Sequence, residues 1–260
     1  PLRRSPLYGI SNMLYNSCVS VPALKKIIQN NQINIVHANN AVAQLVAGPA
    51  AHSCSIPSVW HCRDMRRMGA ERYILRNYSK KILAVSNAVQ NFLLNRGFPG
   101  DKIETVYNGI TPELFHSIPR RGNFRAVTNI PPDSFVALMV ANFAPWKRHD
   151  VFLRTIPCVL SQIPGARFVI AGDDIYRNNR GYYTSLQKLV CDLNISGSVL
   201  FTGNVPDIRP LLSDADCLVH PADNEPFGRI IVEAMASGLP VIASDNGGPA
   251  EIIETGRSGL

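Results

Sequence analysis

Two glutamates lie eight positions apart in the segment NEPFGRIIVEAMASG, residues 224–238. Glu225 stands directly before Pro226, and Glu233 lies within an apolar stretch that has the spacing of a buried helix. Because a residue before proline is disfavoured in the helical region, we expect Glu225 in a loop and Glu233 about two turns into the helix. Arg229 and Glu233 could form a weak, solvated surface pair. Alternatively, the two glutamates face a ligand.

The start of this helix has the chemistry of a phosphate site. A helix that begins near Phe227 and Gly228 points unpaired backbone N–H groups and the positive end of its dipole at a ligand, and glycine permits close approach. Lys147, in NFAPWKRHD, could supply a charge for the same phosphates, although it could also be a solvated lysine. A carboxylate near phosphate is repulsive unless it binds hydroxyl groups. Two glutamates around a diphosphate therefore indicate a sugar on one side and a ribose on the other, as in a nucleotide-sugar donor.

A second glycine-rich segment, SDNGGPAE at residues 244–251, offers a further backbone edge, although NGG is also a common turn. Other phosphate and catalytic motifs do not occur in the sequence. There is no G-x-G-x-x-G fingerprint, P-loop, G-x-S-x-G elbow or metal-binding D-x-D pair. The nearest approach to an acidic metal motif, GDD at residues 172–174, is interpreted as a turn after a strand.

Short apolar runs alternate with helical stretches along the chain, which is typical of parallel βαβ units. Strands are predicted at residues 33–38, 57–61, 81–86, 103–108, 135–143, 166–172, 198–203, 216–221 and 239–244. Helices are predicted at residues 87–96, 148–162, 181–193 and 228–237. Polar residues or glycines follow each strand, although loops favour them anyway, and ligands of open α/β sheets bind at the carboxyl ends of strands. We therefore predict an α/β protein with two doubly wound, Rossmann-like domains facing across a cleft.

The two predicted domains comprise residues 1–118 and 119–260, and residues 115–134, rich in proline, arginine and glycine, form the predicted linker. With 46% hydrophobic and 17% charged residues, the chain of 260 residues has the composition of a soluble globular protein. No apolar run approaches the roughly 18–20 residues of a membrane span, and the start lacks the apolar core of a signal peptide. The six cysteines are scattered, and we expect them to be reduced and mostly in the core.

Basic residues are concentrated in the first half. Residues 1–125 hold 16 of the 26 lysines and arginines but only 5 of the 19 acidic residues. This asymmetry predicts contact with an anionic membrane surface or ligand. The densest stretch, residues 63–81, could be a membrane-contacting helix or a solvated helix face. Nucleic acid is not expected as a partner, because no recognised binding motif accompanies the charge.

The chain closely resembles family 4 glycosyltransferases, which are retaining enzymes of the GT-B fold. The resemblance is strongest to their donor-binding segment, over residues 220–260, HPADNEPFGRIIVEAMASGLPVIASDNGGPAEIIETGRSGL. Further stretches resemble theirs in the same order, namely INIVHANN, WHCRD, ILAVSNAV, VYNGITPELF, PWKRHDVFL, FVIAGD and LFTGNVPDIRPLLSDADCLVHP.

The resemblance implies roles for particular residues. Glu225 would contact the donor sugar, Glu233 the ribose hydroxyls and Lys147 the diphosphate, while the backbone amides of Phe227 and Gly228 would hold sugar and phosphate. The implied catalytic residues are His61, which would lie near the transferred sugar, Glu225 and Lys147. The implied donor-binding residues lie at strand ends and at the helix start; they are Asn142, Lys147, Gly172, Gly203, Asn204, Val205, Glu225, Pro226, Phe227, Gly228, Arg229 and Glu233.

The same resemblance implies an acceptor-side first domain and a second domain that binds the nucleotide sugar. The reaction would be metal-independent transfer of a sugar, with retention, from a nucleoside-diphosphate sugar to a glycan or lipid-linked acceptor. No cofactor is expected, because the nucleotide sugar is a substrate. The expected setting is cytoplasmic, at the inner face of the membrane, in the synthesis of cell-surface polysaccharide or glycoconjugate.

Two departures from the family pattern keep alternatives open. Asn142 stands where these enzymes often carry arginine, which removes one positive charge. We also expect the chain to be a fragment, because the family's first strand, glycine-rich acceptor-side loop and C-terminal helices have no counterpart here. The alternatives are a non-catalytic sugar-nucleotide-binding subunit and a GT-B-fold sugar-nucleotide epimerase.

Overall fold

The computed structural model describes residues 19–116, 123–174 and 179–260. The chain divides into two compact units, Pro1–Tyr107 and Asn108–Leu260. The predicted domain boundary between residues 118 and 119 lies outside the described residues. No helix within the described ranges is long and apolar enough to cross a membrane.

The first unit contains a parallel sheet with the strand order β1-β2-β3-β4. The strands are β1 (Val36–Ala38), β2 (Ser58–Cys62), β3 (Lys81–Ala84) and β4 (Ile103–Thr105). The helices are α1 (Val21–Asn30), α2 (Ala41–Ser53), α3 (Glu71–Tyr78) and α4 (Asn87–Leu94), and a 3₁₀ turn spans Gly100–Lys102. Side chains cap two helix starts, since the backbone N–H of Ala43 donates to Asn40 Oδ1 and that of Val89 donates to Ser86 Oγ.

The second unit contains a parallel sheet with the strand order β7-β6-β5-β8-β9. The strands are β5 (Val136–Val140), β6 (Arg167–Ala171), β7 (Val199–Gly203), β8 (Cys217–His220) and β9 (Val241–Ala243). The helices are α5 (Glu113–His116), α6 (Asn123–Val127), α7 (His149–Gln162), α8 (Arg180–Asp192), α9 (Arg209–Asp214), α10 (Arg229–Ala236) and α11 (Pro249–Ile252), and a 3₁₀ turn spans Pro145–Lys147.

The central strand β5 explains both the core and the position of the site. Val136 and Leu138 pack into the core cluster that includes α9 and α10, while Ala137 and Met139 pack into the cluster that includes α7 and α8. Burial on both faces accounts for the continuous apolar run in this strand. The chain passes from β5 to β6 and β7 on one side, then crosses to β8 and β9 on the other. The direction of winding therefore reverses between β5 and β8, where a crevice for ligands is expected at the carboxyl ends.

All nine predicted strands are confirmed within the described ranges; eight are shorter than predicted, and β2 has the predicted length but begins one residue later. The predicted linker is not a free connector in its described part. The Arg125 side chain is 6% exposed; it donates to the carbonyl oxygen of Asp214 and forms an ion pair of 2.9 Å with Asp216. Two further bonds go to the backbone carbonyls of Pro132 and Ser134. These contacts fasten the segment to the second unit.

Two other sequence expectations need correction. The basic stretch 63–81 is helical only over Glu71–Tyr78, and residues 63–69 form no helix. The cysteines are less buried than expected: Cys62 and Cys217 are buried and Cys54 is half-buried, but Cys158 and Cys191 are exposed on α7 and α8. Cys18 lies outside the described residues.

Candidate functional site

Three side chains meet at the carboxyl ends of β5 and β8. Nζ of Lys147, in the 3₁₀ turn that follows β5, lies 2.5 Å from Oε2 of Glu225. Nε2 of His220, the last residue of β8, lies 3.1 Å from the same oxygen. The Lys147 and Glu225 side chains are only 12% and 11% exposed, and that of His220 is 1% exposed. Lys147 is therefore part of a buried cluster and is not a solvated lysine.

The cluster keeps Glu225 ionised. Burial alone would raise the pKa of its carboxyl group, but the hydrogen bond from His220 and the charge of Lys147 outweigh burial and hold this pKa below its ordinary value. Nδ1 of His220 is buried and has no hydrogen-bond partner in the described part of the chain. The neutral tautomer with its proton on Nε2 fits these contacts, because it donates to Glu225 and leaves no N–H unsatisfied.

The loops that present Lys147 and Glu225 are fastened to each other. The backbone N–H of Asp223 donates to the carbonyl oxygen of Trp146 at 2.8 Å, and Nη1 of Arg148 pairs with Asp223 Oδ2 at 2.8 Å. These two contacts join the turn after β5 to the loop after β8 through the two sequence neighbours of Lys147.

The glycine-rich segment 244–251 supports the Glu225 loop from the neighbouring strand. The backbone N–H of Gly248 donates to the carbonyl oxygen of Glu225 at 2.8 Å, and the backbone N–H of Asn224 donates to Asn246 Oδ1 at 2.6 Å. A Cβ atom at Gly248 would lie 2.5 Å from Cα of Phe227, so no larger residue fits there without moving the loop. Residues 244–251 therefore pack against the Glu225 loop and support it through these contacts.

Helix α10 begins directly after this loop, as the sequence predicts. Gly228 is its N-cap with φ of 94°, a left-handed conformation that favours glycine. A Cβ atom here would lie 2.9 Å from Cδ1 of Ile231 and 3.6 Å from Cγ of Glu225. Pro226 is half-buried, and Phe227 and Gly228 are buried, so the chain before the helix is held in place. Because the N-cap is a glycine, it supplies no side-chain cap to the first turn.

Glu233 is buried even though it pairs with an exposed arginine. Its residue exposure is 8%, and Nε of Arg229 lies 3.0 Å from its Oε1, while the Arg229 side chain is 66% exposed. Burial raises the pKa of Glu233, and the charge of Arg229 offsets part of that rise. The pair considered from the sequence does form, but the Glu233 side chain is only 11% exposed and is not part of a fully solvated helix face.

The other predicted donor-binding residues lie at the carboxyl ends of β5, β6 and β7. Asn142 follows β5, and the N–H of Gly172, which follows β6, donates to the carbonyl oxygen of Gly203 at the end of β7. Asn204 is exposed, whereas Val205 is half-buried and packs against the core cluster of α9 and α10. The second unit thus contains all the predicted donor-binding residues.

His61, the remaining predicted catalytic residue, lies on β2 in the first unit. Its ring stacks on that of His37, with 5.5 Å between centroids and 25° between planes. Burial, followed by the nearby charges of Arg63 and His37, lowers the pKa of His61. Its Nε2 is buried and finds no hydrogen-bond partner among the described residues. A neutral imidazole with one uncommitted nitrogen is therefore favoured.

The GDD motif directly follows β6, as expected, but residues 172–174 form an irregular loop with no assigned turn. The backbone N–H of Asp174 donates to Asp173 Oδ1 at 2.7 Å, and that of Asn179 donates to Asp174 Oδ2 at 2.7 Å. Across the ranges that the structure describes, no three His, Cys, Asp or Glu side chains are grouped so that they could hold a metal ion.

Sequence reasoning missed two histidines of the second unit. His220 was assigned only to a strand, although a polar residue that ends an apolar run five positions before Glu225 was an available signal. His149 starts α7 two positions after Lys147 and is fully buried against the rings of Phe143 and Tyr182. Burial lowers its pKa to about 4, so it is neutral at physiological pH.

Comparison with known protein families agrees with this architecture. Residues 120–260 match the family described as glycosyl transferases group 1, and residues 2–114 match glycosyltransferase family 4. The chain is 28% identical over 249 residues to an uncharacterised glycosyltransferase of Methanocaldococcus jannaschii, covering 88% of this chain and 62% of that protein. It is 28% identical over 234 residues to a D-inositol 3-phosphate glycosyltransferase of Streptomyces avermitilis, covering 87% of this chain and 48% of that protein. The chain thus spans about half to three fifths of these relatives' length.

Solved structures show the same fold. HepE of Anabaena in complex with UDP-glucose superposes with a TM-score of 0.85 at 25% identity, covering 92% of this chain and 67% of that one. Sucrose-phosphate synthase of Thermosynechococcus elongatus superposes with a TM-score of 0.78 at 23% identity, covering 92% of this chain and 63% of that one. The two parallel sheets are those of GT-B glycosyltransferases. The chain therefore belongs to the group 1 glycosyltransferases of GT-B fold.

Proposed function

We propose that the chain forms the catalytic core of an enzyme that transfers a sugar from a nucleoside-diphosphate sugar to a glycan or lipid-linked acceptor, with retention of configuration and without a metal ion. The observation on which this rests is the buried Lys147–Glu225 pair in the crevice between β5 and β8, in the loops beside the start of α10. This crevice combines a cation, helix N–H groups and a carboxylate, as a diphosphate bonded to a sugar requires.

Lys147 and α10 are proposed to hold the diphosphate. When the donor binds, Nζ of Lys147 transfers its contact from Glu225 to a phosphate oxygen, which lies within reach of a long, flexible side chain. Bond cleavage at the anomeric carbon leaves the electron pair on the diphosphate. Lys147 and the N-terminus of α10 stabilise that growing charge, which strengthens their interaction in the transition state.

The two glutamates are proposed to bind hydroxyl groups on either side of the diphosphate. Glu225, held as a carboxylate, accepts from a hydroxyl of the donor sugar. Glu233 accepts from the ribose, and its burial supports this role because a ligand hydroxyl would meet a poorly hydrated acceptor. A catalytic role for His61 is likewise a proposal, supported by a buried Nε2 that finds no hydrogen-bond partner among the described residues.

The nucleoside is proposed to be uridine in the first instance, because HepE, the 25% identical relative of known structure, was solved with UDP-glucose. A cytoplasmic setting and contact between the basic first half and an anionic membrane are also proposals. Lys26, Arg72 and Arg76 are among the exposed cations of the described first unit. Co-sedimentation with vesicles of anionic and of neutral lipids tests the membrane contact.

Product analysis tests the proposed reaction. The chain is incubated with UDP-glucose, GDP-mannose or ADP-glucose in the presence of EDTA, with water or an added glycan as acceptor, and the first-formed product is followed by proton NMR. The expected result is release of nucleoside diphosphate and a product with the α configuration of the donor. A β product, or loss of turnover in EDTA that Mg²⁺ restores, contradicts retention or metal independence respectively.

A further inference from the structure

One oxygen of Glu225 receives both of the hydrogen bonds described for this carboxylate. Lys147 and His220 both contact Oε2, and no side-chain contact to Oε1 is found in the described part of the chain. A carboxylate has lone pairs on each oxygen, so Oε1 remains available as an acceptor.

We propose that His220 is a positioning residue for recognition of the donor sugar: by donating from Nε2 to Oε2 it fixes the Glu225 carboxylate so that Oε1 accepts a hydroxyl of that sugar. This inference rests on the proposed function and assigns a role to a residue that touches neither donor nor acceptor. His220 acts only through Glu225.

The contacts distinguish His220 from Lys147 as the group that orients the carboxylate. His220 is 1% exposed at the end of a sheet strand, and its backbone carbonyl accepts from the N–H of Ser244 at 3.2 Å. The backbone that carries the ring is therefore fixed in the sheet and the ring itself is buried, whereas Lys147 reaches Glu225 at the end of a flexible four-carbon chain.

His220 is also the donor that stays when the diphosphate arrives. Transfer of Lys147 Nζ to phosphate would leave a buried carboxylate without its cation, which is costly unless another donor remains. The charged and titratable groups that face His220 in the described residues are Glu225 from its own loop, Lys147 from the turn after β5 and His149 from α7. Of these only Glu225 is within hydrogen-bond distance of the ring.

The test compares a nucleotide with and without the sugar. Binding of UDP and of UDP-glucose to the chain is measured by calorimetry for the wild type, His220→Leu and His220→Gln. His220→Leu removes the N–H, and His220→Gln keeps a side-chain N–H donor. We expect His220→Leu to bind UDP-glucose about tenfold more weakly but UDP within about twofold of the wild type, and His220→Gln to recover most of the loss. If His220→Leu does not fold, His220→Phe, which also lacks the donor, replaces it.

A double-mutant cycle with Glu225→Gln tests whether His220 acts through Glu225. On the Glu225→Gln background, His220→Leu is expected to cause less than about a twofold further loss of UDP-glucose affinity. Equal losses for UDP and UDP-glucose, or additive losses in the cycle, would overturn the proposal. Failure of the wild type to bind either compound would instead count against a uridine donor. GDP and GDP-mannose then serve as the same pair of probes, and failure with both pairs rejects the proposed function.

Discussion

Lys147 and Glu225, 78 residues apart in the chain, form a buried ion pair whose acceptor oxygen also receives the hydrogen bond of His220. The pair joins the loops after β5 and β8, the two strands between which the winding of the sheet reverses. Each partner neutralises the other while the crevice holds no ligand, and each has a proposed contact in the donor. The same pair therefore bears on stability and on binding.

Replacing Lys147 with methionine is expected to destabilise the second unit. The substitution leaves the Glu225 carboxylate buried without its cation, which costs about 3 kcal/mol for a broken buried pair. Lys147 helps to hold the pKa of Glu225 below the ordinary glutamate value. The stability that the ion pair contributes is therefore present above the ordinary glutamate pKa, and it is lost as pH falls through the lowered pKa of Glu225. The deficit of Lys147→Met should therefore shrink in acid, where Glu225 can be protonated.

Urea denaturation from pH 7 to pH 3 measures this difference. Lys188→Met, at an exposed position on α8, is the matched control and is expected to stay within about 0.5 kcal/mol of the wild type. A Lys147→Met deficit no larger than that of the control would show that the buried pair contributes no stability.

His149 is expected to make the stability of the protein fall in mild acid. Its pKa is about 4 in the folded chain and 6.5 as the ordinary value, so the unfolded chain binds a proton more tightly between these pH values. Stability contributed by the neutral ring is intact above pH 6.5 and declines by about 3 kcal/mol as pH falls to 4. In His149→Leu the free energy of unfolding should no longer show this decline between pH 6.5 and pH 4. Parallel stability–pH curves for the variant and the wild type would exclude a buried neutral His149.

Alanine at Gly228 is expected to destabilise the chain and weaken donor binding. Its φ of 94° costs roughly 1–3 kcal/mol for other residues, and a Cβ would press on Ile231 at 2.9 Å. Thermal unfolding is measured beside Gly197→Ala, where a Cβ meets nothing within 4 Å. Gly228→Ala should unfold at a clearly lower temperature than Gly197→Ala; equal midpoints would mean that the helix start adapts without strain.

Glu233→Gln is expected to weaken binding of the donor. The substitution keeps the shape of the side chain but removes the carboxylate proposed to bind the ribose, and we expect about a tenfold loss. Calorimetry with UDP-, GDP- and ADP-sugars compares it with Glu254→Gln, whose exposed carboxylate pairs with Arg257. Unchanged affinity of Glu233→Gln for the best donor would reject the ribose assignment.

The sequence predicted the parts of the fold that depend on local pattern. The apolar run of β5, the proline after Glu225 and the glycine at the start of α10 each act on their immediate neighbours, so their structural consequences could be inferred. Contacts between distant segments could not. Arg125 lies about 90 positions from Asp214 and Asp216, and its sequence neighbourhood resembles a linker because nothing local reveals those partners.

The candidate site shows the same division. The strand-end positions of Lys147 and Glu225 followed from the βαβ pattern, because parallel strands end at one edge of a sheet. The ion pair between them did not, since a lysine and a glutamate at such ends can both be solvated. His220 was missed for a related reason: its ring is buried beside a carboxylate, and burial of a polar strand residue depends on the surrounding loops.

Binding of UDP-glucose to the wild type and to Lys147→Gln tests the central claim most directly. Calorimetry at low and at physiological salt should give a wild-type affinity that Lys147→Gln weakens by about ten- to a hundredfold, because a charge-assisted contact to the diphosphate is lost. The Lys188→Gln variant should bind as the wild type does. Equal affinities of wild type and Lys147→Gln for UDP-glucose would contradict a diphosphate site at Lys147 and the start of α10.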